Sequence, residues 1–344
     1  MQCAFQHARR ERHFCQRLFL RVQSRRPSGL TTVSSAGSQP GLVVAGFGRH
    51  CLVETASGER VICHPRGKKS QALVGDRVLW LPSEDEGTIE KVEPRSNLFY
   101  RQDEMRTKSF AANLDQVLIL IAAEPEFSES QLTRALIAAE AERITPIIAL
   151  NKSDLAEPFG RAWTKLEPYR AMGYQVLPLA IKPKLAGSAV NTAQTEQLMD
   201  LLRGKKTLVL GPSGAGKSSL TNLLVPNAQV LTAEISQALN SGKHTTTSTT
   251  LYWIDAARSS ALIDSPGFQE FGLHHIDPMH LANYMPDLKV HAQDCKFYNC
   301  THLHEPGCGV NTNVKSASGP GVISASRYRL YSELFAELSE APRY

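Results

Sequence analysis

The chain has 344 residues, and its composition of 42% hydrophobic and 21% charged residues is typical of a globular protein with two or three domains and excludes a largely disordered one. No apolar run is long enough to cross a membrane, and seven cysteines without a secretory signal favour a reducing cytoplasm over a disulfide framework. The net charge of +5 arises at the amino terminus, because residues 1–40 contain seven arginines and a single acidic residue, Glu11.

Residues 1–40 are predicted to be a basic, largely disordered tail that ends in a Ser/Thr/Gly-rich stretch. Clustered arginines suit the phosphates of a nucleic acid, which they contact without regard to sequence. An organelle-targeting peptide and an inert solubilising tail have similar compositions, so the three interpretations stay open.

Residues 41–97 read as five short strands between turn signals, which predicts a small all-β barrel. An oligonucleotide-binding (OB) fold is one candidate, and an SH3-like barrel would give much the same pattern. The basic stretch His64–Lys69 lies between two of these strands and would suit RNA phosphates, although a solvated loop is equally ordinary. The predicted strands are Leu42–Val44, Cys51–Val53, Arg60–Ile62, Asp76–Trp80 and Thr88–Val92.

Residues 98–273 alternate strands and helices, as expected of an α/β domain. The pattern begins with the apolar strand Asp115–Ile121 and the helix Ser130–Glu142. Residues 181–195 are rich in Gly, Ala, Ser and Thr and are predicted to be a loop.

A base-reading motif follows the apolar strand Pro146–Leu150: Asn151, Lys152, Ser153 and Asp154. At the carboxyl end of a buried parallel strand these residues lie where ligands bind in open α/β sheets. The Asp154 carboxylate can accept two hydrogen bonds from guanine, whereas adenine offers no such pair of donors.

A phosphate-binding loop follows the strand Lys206–Leu210. Its glycines let successive backbone N–H groups surround phosphates at the start of a helix. Lys217 is expected to reach the β- and γ-phosphates, and the Ser218 hydroxyl is expected to bind Mg²⁺. The loop residues are Gly211, Pro212, Ser213, Gly214, Ala215, Gly216, Lys217, Ser218 and Ser219.

The order of these two motifs is the reverse of the order in an ordinary GTPase, in which the phosphate loop comes first. This order predicts a circularly permuted P-loop GTPase domain. The loop at residues 181–195 would then join the ancestral chain ends.

Two further segments complete the predicted nucleotide site. In Asp264-Ser-Pro-Gly267, the carboxylate of Asp264 would hold the Mg²⁺ shell and the N–H of Gly267 would contact the γ-phosphate. Of the threonines in Gly242–Thr247, we expect Thr246 to bind Mg²⁺, while Thr245 and Thr247 remain alternatives. Phe268 stands where many GTPases carry a glutamine, which predicts slow hydrolysis, and His244 is a candidate to position water instead.

Residues 274–344 are predicted to be a small α-helical zinc-binding domain. Three thiolates and one imidazole can close a tetrahedral structural Zn²⁺ site, and His304 is a rival to His302 as the ligand. Residues 327–338 have the pattern of an amphipathic terminal helix. The predicted zinc ligands are Cys295, Cys300, His302 and Cys308.

Taken together, the barrel, the reversed motifs and the cysteine–histidine segment resemble the bacterial ribosome small-subunit-dependent GTPase A family over roughly residues 41–338. The resemblance implies an OB-type barrel and a slow GTPase that is stimulated by the small (30S) ribosomal subunit. It also implies binding of ribosomal RNA, GTP and GDP, a role in late maturation of the 30S subunit and release of an assembly factor. We therefore expect a cytoplasmic monomer with one structural Zn²⁺, with Mg²⁺ bound alongside GTP, and with no membrane partner.

Two other functions compete with this prediction. In a P-loop ATPase or small-molecule kinase, Asn151–Asp154 would be a coincidence, and ATP and GTP would bind with similar affinity. In an RNA-binding module with a degenerate nucleotide site, the barrel, the tail and the zinc segment would carry the function. The intact Lys217, Ser218, Asp264 and Asp154 argue against degeneracy.

Overall fold

A computed structural model describes residues 37–67, 72–83, 86–181, 192–226, 228, 249–267, 270–315 and 321–340. Residues 1–36 of the predicted basic tail lie outside this range, and the first strand begins at Gln39, within the last two residues of that prediction. Among the described helices, none is long and apolar enough to span a membrane.

The amino-terminal strands form a closed five-stranded barrel, which confirms the predicted all-β unit. The first strand pairs with both the second and the fourth, so the sheet closes on itself. The third and fifth strands run parallel, Cys63 opposite Gly87, and this pairing makes the barrel OB-like rather than SH3-like. The strands are β1 (Gln39–Phe47), β2 (His50–Glu54), β3 (Arg60–Pro65), β4 (Arg77–Leu81) and β5 (Gly87–Val92).

A two-stranded hairpin, β6 (Leu98–Gln102) and β7 (Thr107–Ala112), follows the barrel and was not predicted from the sequence. Its aromatic residues Phe99 and Phe110 pack against Phe271, with ring centroids 5.9 and 6.2 Å away. The hairpin therefore lies against the segment that follows the Asp264–Gly267 motif.

The remaining main-sheet strands form an α/β sheet in the order β10-β9-β8-β11-β13-β12. Neighbouring strands are parallel from β10 to β13, and β12 runs antiparallel to β13 at the edge. Strand β12 also pairs with β1. Within the described residues, the strands of the barrel and of the α/β domain therefore form one continuous hydrogen-bonded sheet. The bounds are β8 (Gln116–Ala122), β9 (Thr145–Asn151), β10 (Gln175–Pro178), β11 (Lys206–Leu210), β12 (Thr250–Trp253) and β13 (Ala261–Asp264).

Helices cover both faces of the sheet, which explains why the central strands are apolar on both sides. Strand β8 is buried throughout: Val117, Ile119 and Ile121 face one core, and Leu118 and Leu120 face the other. The first core includes helix α1 (Glu129–Ala141), and the second includes α4 (Thr192–Leu202) and α5 (Lys217–Leu224). Between them in the chain lie the short helices α2 (Ala156–Lys165) and α3 (Glu167–Ala171).

Helix α4 corrects the loop predicted at residues 181–195, because it begins at Thr192. Residues 182–191 lie outside the described part of the chain. The polar residues after Thr192 belong to the exposed side of a helix that buries Leu198 and Leu202.

The carboxyl-terminal region is mostly helical, as predicted. A 3-10 helix (Pro278–Tyr284) and α6 (Pro286–Ala292) precede the cysteine-rich loop, and α7 (Gly309–Thr312) follows it. Two short parallel strands, β14 (Val314–Lys315) and β15 (Ile323–Ser324), lead into the terminal helix α8 (Ala325–Ser339). The domain boundaries at residues 40, 97 and 273 stay predictions.

A buried ion pair fastens α8 to the rest of the molecule. Arg327, only 3% exposed, donates two hydrogen bonds to the carboxylate of Asp287 on α6, at 2.9 and 3.1 Å. Its guanidinium also donates to the Thr133 hydroxyl on α1 at 2.8 Å and lies over the ring of Tyr169. The arginine therefore joins α8, α6, α1 and α3.

Removing one partner of this pair should be costly. Asp287→Ala leaves a buried guanidinium without its counter-charge, so we expect the free energy of unfolding to fall by about 3–5 kcal/mol. Urea unfolding monitored by circular dichroism measures the loss. Glu333→Ala is the matched control, because it breaks the exposed Arg329–Glu333 pair of the same helix and should cost less than about 0.5 kcal/mol. Equal losses in the two variants would contradict the role assigned to Asp287.

Candidate functional site

The phosphate-binding loop connects β11 to α5 and requires glycine at three positions. A Cβ on Gly211 would lie 2.1 Å from the carbonyl oxygen of Leu120, so only glycine allows this approach to β8. Gly214 and Gly216 have φ angles of +82° and +105°, a backbone conformation that is unfavourable for any residue with a Cβ atom. The backbone therefore takes the course that lets N–H groups face a phosphate.

Lys217 is the first residue of α5, and its side chain folds back over the loop. The ammonium Nζ donates to the carbonyl oxygens of Gly211 and Pro212, both at 2.8 Å. Burial lowers the pKa of this ammonium, and the nearby carboxylate of Asp264 acts in the opposite direction. The loop thus carries a partly desolvated positive charge at the position where an anion would be held.

Asp264 ends β13, directly beside the phosphate-binding loop. Its backbone pairs with Val209 of β11, and the hydroxyl of the following residue, Ser265, donates to the Val209 carbonyl at 2.7 Å. The Oδ1 atom of Asp264 is buried without a hydrogen-bond partner in the described part of the protein. Such an unsatisfied buried acceptor fits a cation such as Mg²⁺.

Gly267 approaches the same loop from the other side. A Cβ at this position would lie 3.0 Å from Nζ of Lys217 and 3.4 Å from the backbone nitrogen of Ser213. The Asp264–Gly267 segment and the phosphate-binding loop therefore lie directly beside each other.

The titration of Asp264 has a consequence for stability. Burial raises the pKa of this carboxyl from its ordinary 3.8 to about 6, although Lys217 and a backbone hydrogen bond from Ser265 pull the pKa down. The folded protein thus binds a proton here more tightly than the unfolded chain. The ionised carboxylate therefore destabilises the fold, fully so above about pH 6 and not at all below the ordinary pKa.

Asp264→Asn is therefore expected to raise the free energy of unfolding of the nucleotide-free protein by about 1–3 kcal/mol at pH 8. The gain should shrink as the pH is lowered from 6 to 4, which urea titrations at several pH values would measure. Asp255→Asn is a control of opposite sign, because hydrogen bonds from Ser259 and Ser260 lower the pKa of that carboxyl to about 2. A gain for Asp264→Asn that does not vary with pH would refute this explanation.

The base-reading motif reaches the same edge of the sheet. Asn151, at the end of β9, is 2% exposed, and its Nδ2 donates to the carbonyl of Ala215 in the phosphate-binding loop at 2.9 Å. Its Oδ1 accepts from the backbone N–H of Ile181 at 3.0 Å. Asn151 thus fastens together the base-reading motif, the phosphate-binding loop and the loop after β10.

The other residues of the motif follow in a turn. Lys152 has a φ of 68°, and its ammonium donates to the carbonyl of Glu124. The N–H of Ser153 donates to the Leu179 carbonyl at 2.9 Å, and Asp154 is exposed. Leu179 and Ile181 thus support the motif through backbone hydrogen bonds, for which their side chains give no sequence signal.

His244, Thr246 and the alternative threonines Thr245 and Thr247 lie outside the described residues, as does Phe268. Their predicted roles therefore stay predictions.

The carboxyl-terminal cysteines form a second cluster. The nearest side-chain donor atoms of Cys295, Cys300, His302 and Cys308 all lie within 4.8 Å of one another. Nδ1 of His302 lies 3.4 Å from Sγ of Cys295 and 3.6 Å from Sγ of Cys308, and those two sulfurs are 3.9 Å apart. Tetrahedral Zn²⁺ with bonds of about 2.0–2.3 Å would space its donors by roughly 3.5–3.8 Å, so the set of donor types fits zinc, as does the spacing of Cys295, His302 and Cys308.

His304 does not belong to this cluster; its side chain is exposed, and its backbone N–H donates to Glu305. His302 has a φ of 61°, which turns the loop so that the imidazole faces the cysteines. The hydroxyl of Tyr328 donates to the carbonyl of His302 at 2.9 Å, and that of Tyr331 donates to Thr301 at 2.8 Å. The sequence predicts α8 but not these tyrosine contacts, for which the three-residue spacing of Tyr328 and Tyr331 on one helix face is the only signal.

The strand order, the glycine-dependent phosphate-binding loop and the converging Asn151 and Asp264 motifs define a GTPase, and their order along the chain makes it a circularly permuted one. A family model, RsgA GTPase, matches residues 92–274. The chain belongs to this family and is a GTP-hydrolysing enzyme.

Two relatives match the sequence of this chain over most of its length. The "Small ribosomal subunit biogenesis GTPase RsgA" of Variovorax paradoxus (strain S110) is 72% identical over 318 residues, which are 91% of this chain and 98% of that protein. The protein of the same name from Paraburkholderia phytofirmans is 49% identical over 310 residues, 88% of this chain and 94% of the relative.

Two solved structures share the fold. YloQ, described as a circularly permuted GTPase, superposes with a TM-score of 0.64 at 26% identity, covering 92% of this chain and all of YloQ. YjeQ from Thermotoga maritima gives a TM-score of 0.65 at 28% identity, covering 88% of this chain and 99% of YjeQ. These matches confirm the circular permutation that the motif order predicts.

Proposed function

We propose that this GTPase acts in the biogenesis of the small ribosomal subunit. The observation that carries the proposal is the convergence of Lys217, Asp264 and Asn151 at one sheet edge of a chain whose close relatives bear that function in their names. In this proposal the protein binds the 30S subunit and its ribosomal RNA, hydrolyses GTP slowly and is stimulated by the subunit. Hydrolysis then allows release of an assembly factor and of the GDP-bound protein itself.

The nucleotide would lie along the edge of the sheet where the three loops meet. The N–H groups of the loop Gly211–Ser218 would hold its phosphates, and Asp154 would read the guanine. Lys217 would neutralise charge on the β- and γ-phosphates while water attacks the γ-phosphate in line. The N–H of Gly267 would contact the γ-phosphate, in keeping with its approach to Lys217 and Ser213.

Mg²⁺ would be held by the hydroxyls of Ser218 and Thr246, with the Asp264 carboxylate in its shell. When bound, the ion neutralises phosphate charge. Asp264 suits this role because one of its oxygens is buried without a hydrogen-bond partner in the described residues. We assign His244 the positioning of the attacking water, in place of the glutamine that Phe268 replaces.

The carboxyl-terminal cluster would bind one structural Zn²⁺, and the barrel would contact RNA. Arg49, in the turn between β1 and β2, is exposed and would supply positive charge for a phosphate backbone. Arg66, directly after β3, is also exposed but is paired with Glu90 at 2.7 Å, so it would have to exchange that partner for a phosphate. We propose that the protein works as a monomer in the cytoplasm, where its ribosomal partner is assembled.

The decisive experiment measures steady-state GTP hydrolysis by the purified, zinc-replete protein with and without isolated small subunits, using Lys217→Ala as the blank. We expect strong stimulation by small subunits and none by large subunits. Stimulation by neither subunit, or equally by both, would refute a function on the small subunit while leaving the GTPase chemistry intact. Comparable affinities for ATP and GTP would instead refute the role of Asp154.

A further inference from the structure

A buried carboxylate in the barrel is bound to the strand that lies beside Asp264. Glu54, at the end of β2, has a side chain that is 5% exposed. Its Oε1 accepts a hydrogen bond from the indole Nε1 of Trp253, the last residue of β12, at 2.7 Å. Its Oε2 accepts from Nε of Arg60 on β3 at 3.0 Å. Nη1 of Arg258, in the turn from β12 to β13, lies 3.5 Å from Oε1.

A glycine of the barrel leaves room for the side chain of Arg258. Gly58, between β2 and β3, has a φ of +87°, and a Cβ added there would lie 2.0 Å from Nη2 of Arg258. The guanidinium therefore occupies the space that any other residue at position 58 would fill. Glycine at this position thus serves the contact between the barrel and the β12–β13 turn, as well as the turn itself.

Strand pairing connects this part of the barrel to Asp264. Ala45 of β1 pairs with Thr250 of β12, and Thr250 pairs in turn with Asp264 of β13. Among the described residues, which resume at 249, one residue pair, Ala45 with Thr250, defines the β1–β12 register, and the N–H of Gly46 donates to the Thr249 carbonyl at 3.4 Å. Backbone pairing with the barrel therefore holds β12 only at its amino-terminal end, at Thr250.

Glu54 supplies the attachment at the other end. Trp253 is opposite Ala261 at the start of β13, whereas Thr250 is opposite Asp264 at its end. The hydrogen bond from Trp253 to Glu54 is part-buried and charge-assisted, and charge-assisted hydrogen bonds are stronger than neutral ones. Strand β12 is thus held against the barrel at both ends, and β13 lies between β12 and β11.

We propose that Glu54 is a positioning residue for GTP hydrolysis: through Trp253 and Arg258 it fixes the β12–β13 pair against the barrel and so orients Asp264 toward Mg²⁺. The inference rests on the role proposed above for Asp264. One oxygen of that carboxylate has no hydrogen-bond partner among the described residues, so its orientation depends on β13 and on the strands beside it.

The test compares the Mg²⁺ requirement of the variants in two ways: as the Mg²⁺ concentration that gives half-maximal GTP hydrolysis at saturating GTP, and as the Mg²⁺ concentration that half-saturates the complex with a non-hydrolysable GTP analogue, measured by isothermal titration calorimetry. Trp253→Phe keeps the ring and removes the N–H donor, so we expect the Mg²⁺ requirement to rise by about two- to tenfold, with a smaller change in kcat at saturating Mg²⁺. Glu54→Ala should raise the requirement at least as much. Glu54→Gln should restore part of the loss, because its amide oxygen can still accept from Trp253.

Asp76→Asn is the matched control for loss of a buried charge. Asp76 is fully buried, and its carboxylate accepts from Arg95 at 2.8 Å and from the Leu73 N–H at 2.7 Å, away from the β12–β13 pair. This variant should lower the melting temperature without changing the Mg²⁺ requirement. An equal shift in Asp76→Asn, or unchanged requirements in Trp253→Phe and Glu54→Ala, would overturn the inference.

The Asp264→Asn variant tests the role of Asp264 in binding Mg²⁺ separately from the positioning role of Glu54. If this variant raises the Mg²⁺ requirement while the Glu54 and Trp253 variants do not, the proposed role of Asp264 stands and the inference fails. If Asp264→Asn leaves the Mg²⁺ requirement unchanged, the role of Asp264 fails and the inference fails with it.

Discussion

Replacing Lys217 with alanine is expected to lower the rate of GTP hydrolysis by at least about 10²–10³-fold, the scale observed when one preorganised charge-stabilising donor is removed. Two carbonyl oxygens of the loop already hold its ammonium, each at 2.8 Å. The charge is therefore in place before the reaction, and water cannot replace it in a buried site without reorganising. Single-turnover hydrolysis of radiolabelled GTP measures the loss without contributions from product release.

Lys205→Ala is the matched control, because Lys205 is an exposed lysine just before β11, at the far end of that strand from the loop. Its removal should leave the rate within about twofold, as for an ordinary surface position. Thermal unfolding of both variants should show intact folds. A Lys217→Ala protein that hydrolyses GTP at the rate of the unaltered protein would contradict the assigned site.

The arrangement of the candidate nucleotide site could be predicted from the sequence because each motif is local. Glycines, a lysine and a serine within eight positions, Gly211–Ser218, follow an apolar strand, and backbone sterics dictate the loop that they form. The convergence of Asn151 with Ala215 was predictable for the same reason, since both follow parallel strands whose carboxyl ends share one edge.

Contacts between distant parts of the chain could not be predicted in this way. The type of the barrel depends on the parallel pairing of Cys63 with Gly87, which no strand pattern encodes. Glu54 and Trp253 are 199 positions apart, and a single glutamate at the end of a strand reads as a solvated residue. The strand β12 was missed because only four residues form it, and its partners come from both the barrel and the GTPase sheet.

The sequence also could not decide whether His302 or His304 is the zinc ligand. Both histidines lie between Cys300 and Cys308, so spacing alone permits either as a ligand. The positive φ of His302 and the hydrogen bond from Tyr328 to its carbonyl decide which imidazole faces the cysteines. That hydrogen bond comes from a helix 26 residues further along the chain.

Replacing Cys308 with alanine is expected to abolish stoichiometric zinc binding and to lower the free energy of unfolding by several kcal/mol. Structural zinc in isolated zinc-finger peptides contributes about 10–16 kcal/mol at neutral pH, so a three-ligand remnant loses a large part of that stabilisation. Cys308 also caps α7, because the N–H of Asn311 donates to its sulfur at 3.4 Å. Zinc content by mass spectrometry and thermal unfolding with and without a chelator measure both effects.

Cys63→Ala provides the control, since Cys63 is an equally buried free cysteine that lies in the barrel rather than in the cluster. It should lose packing energy yet keep one zinc per chain and the response to chelator. The histidines give a second comparison: His302→Ala should lose zinc, and His304→Ala should keep it. Full zinc occupancy in Cys308→Ala, or loss of zinc in His304→Ala, would show that the ion is held by a different set of ligands from the one the geometry assigns.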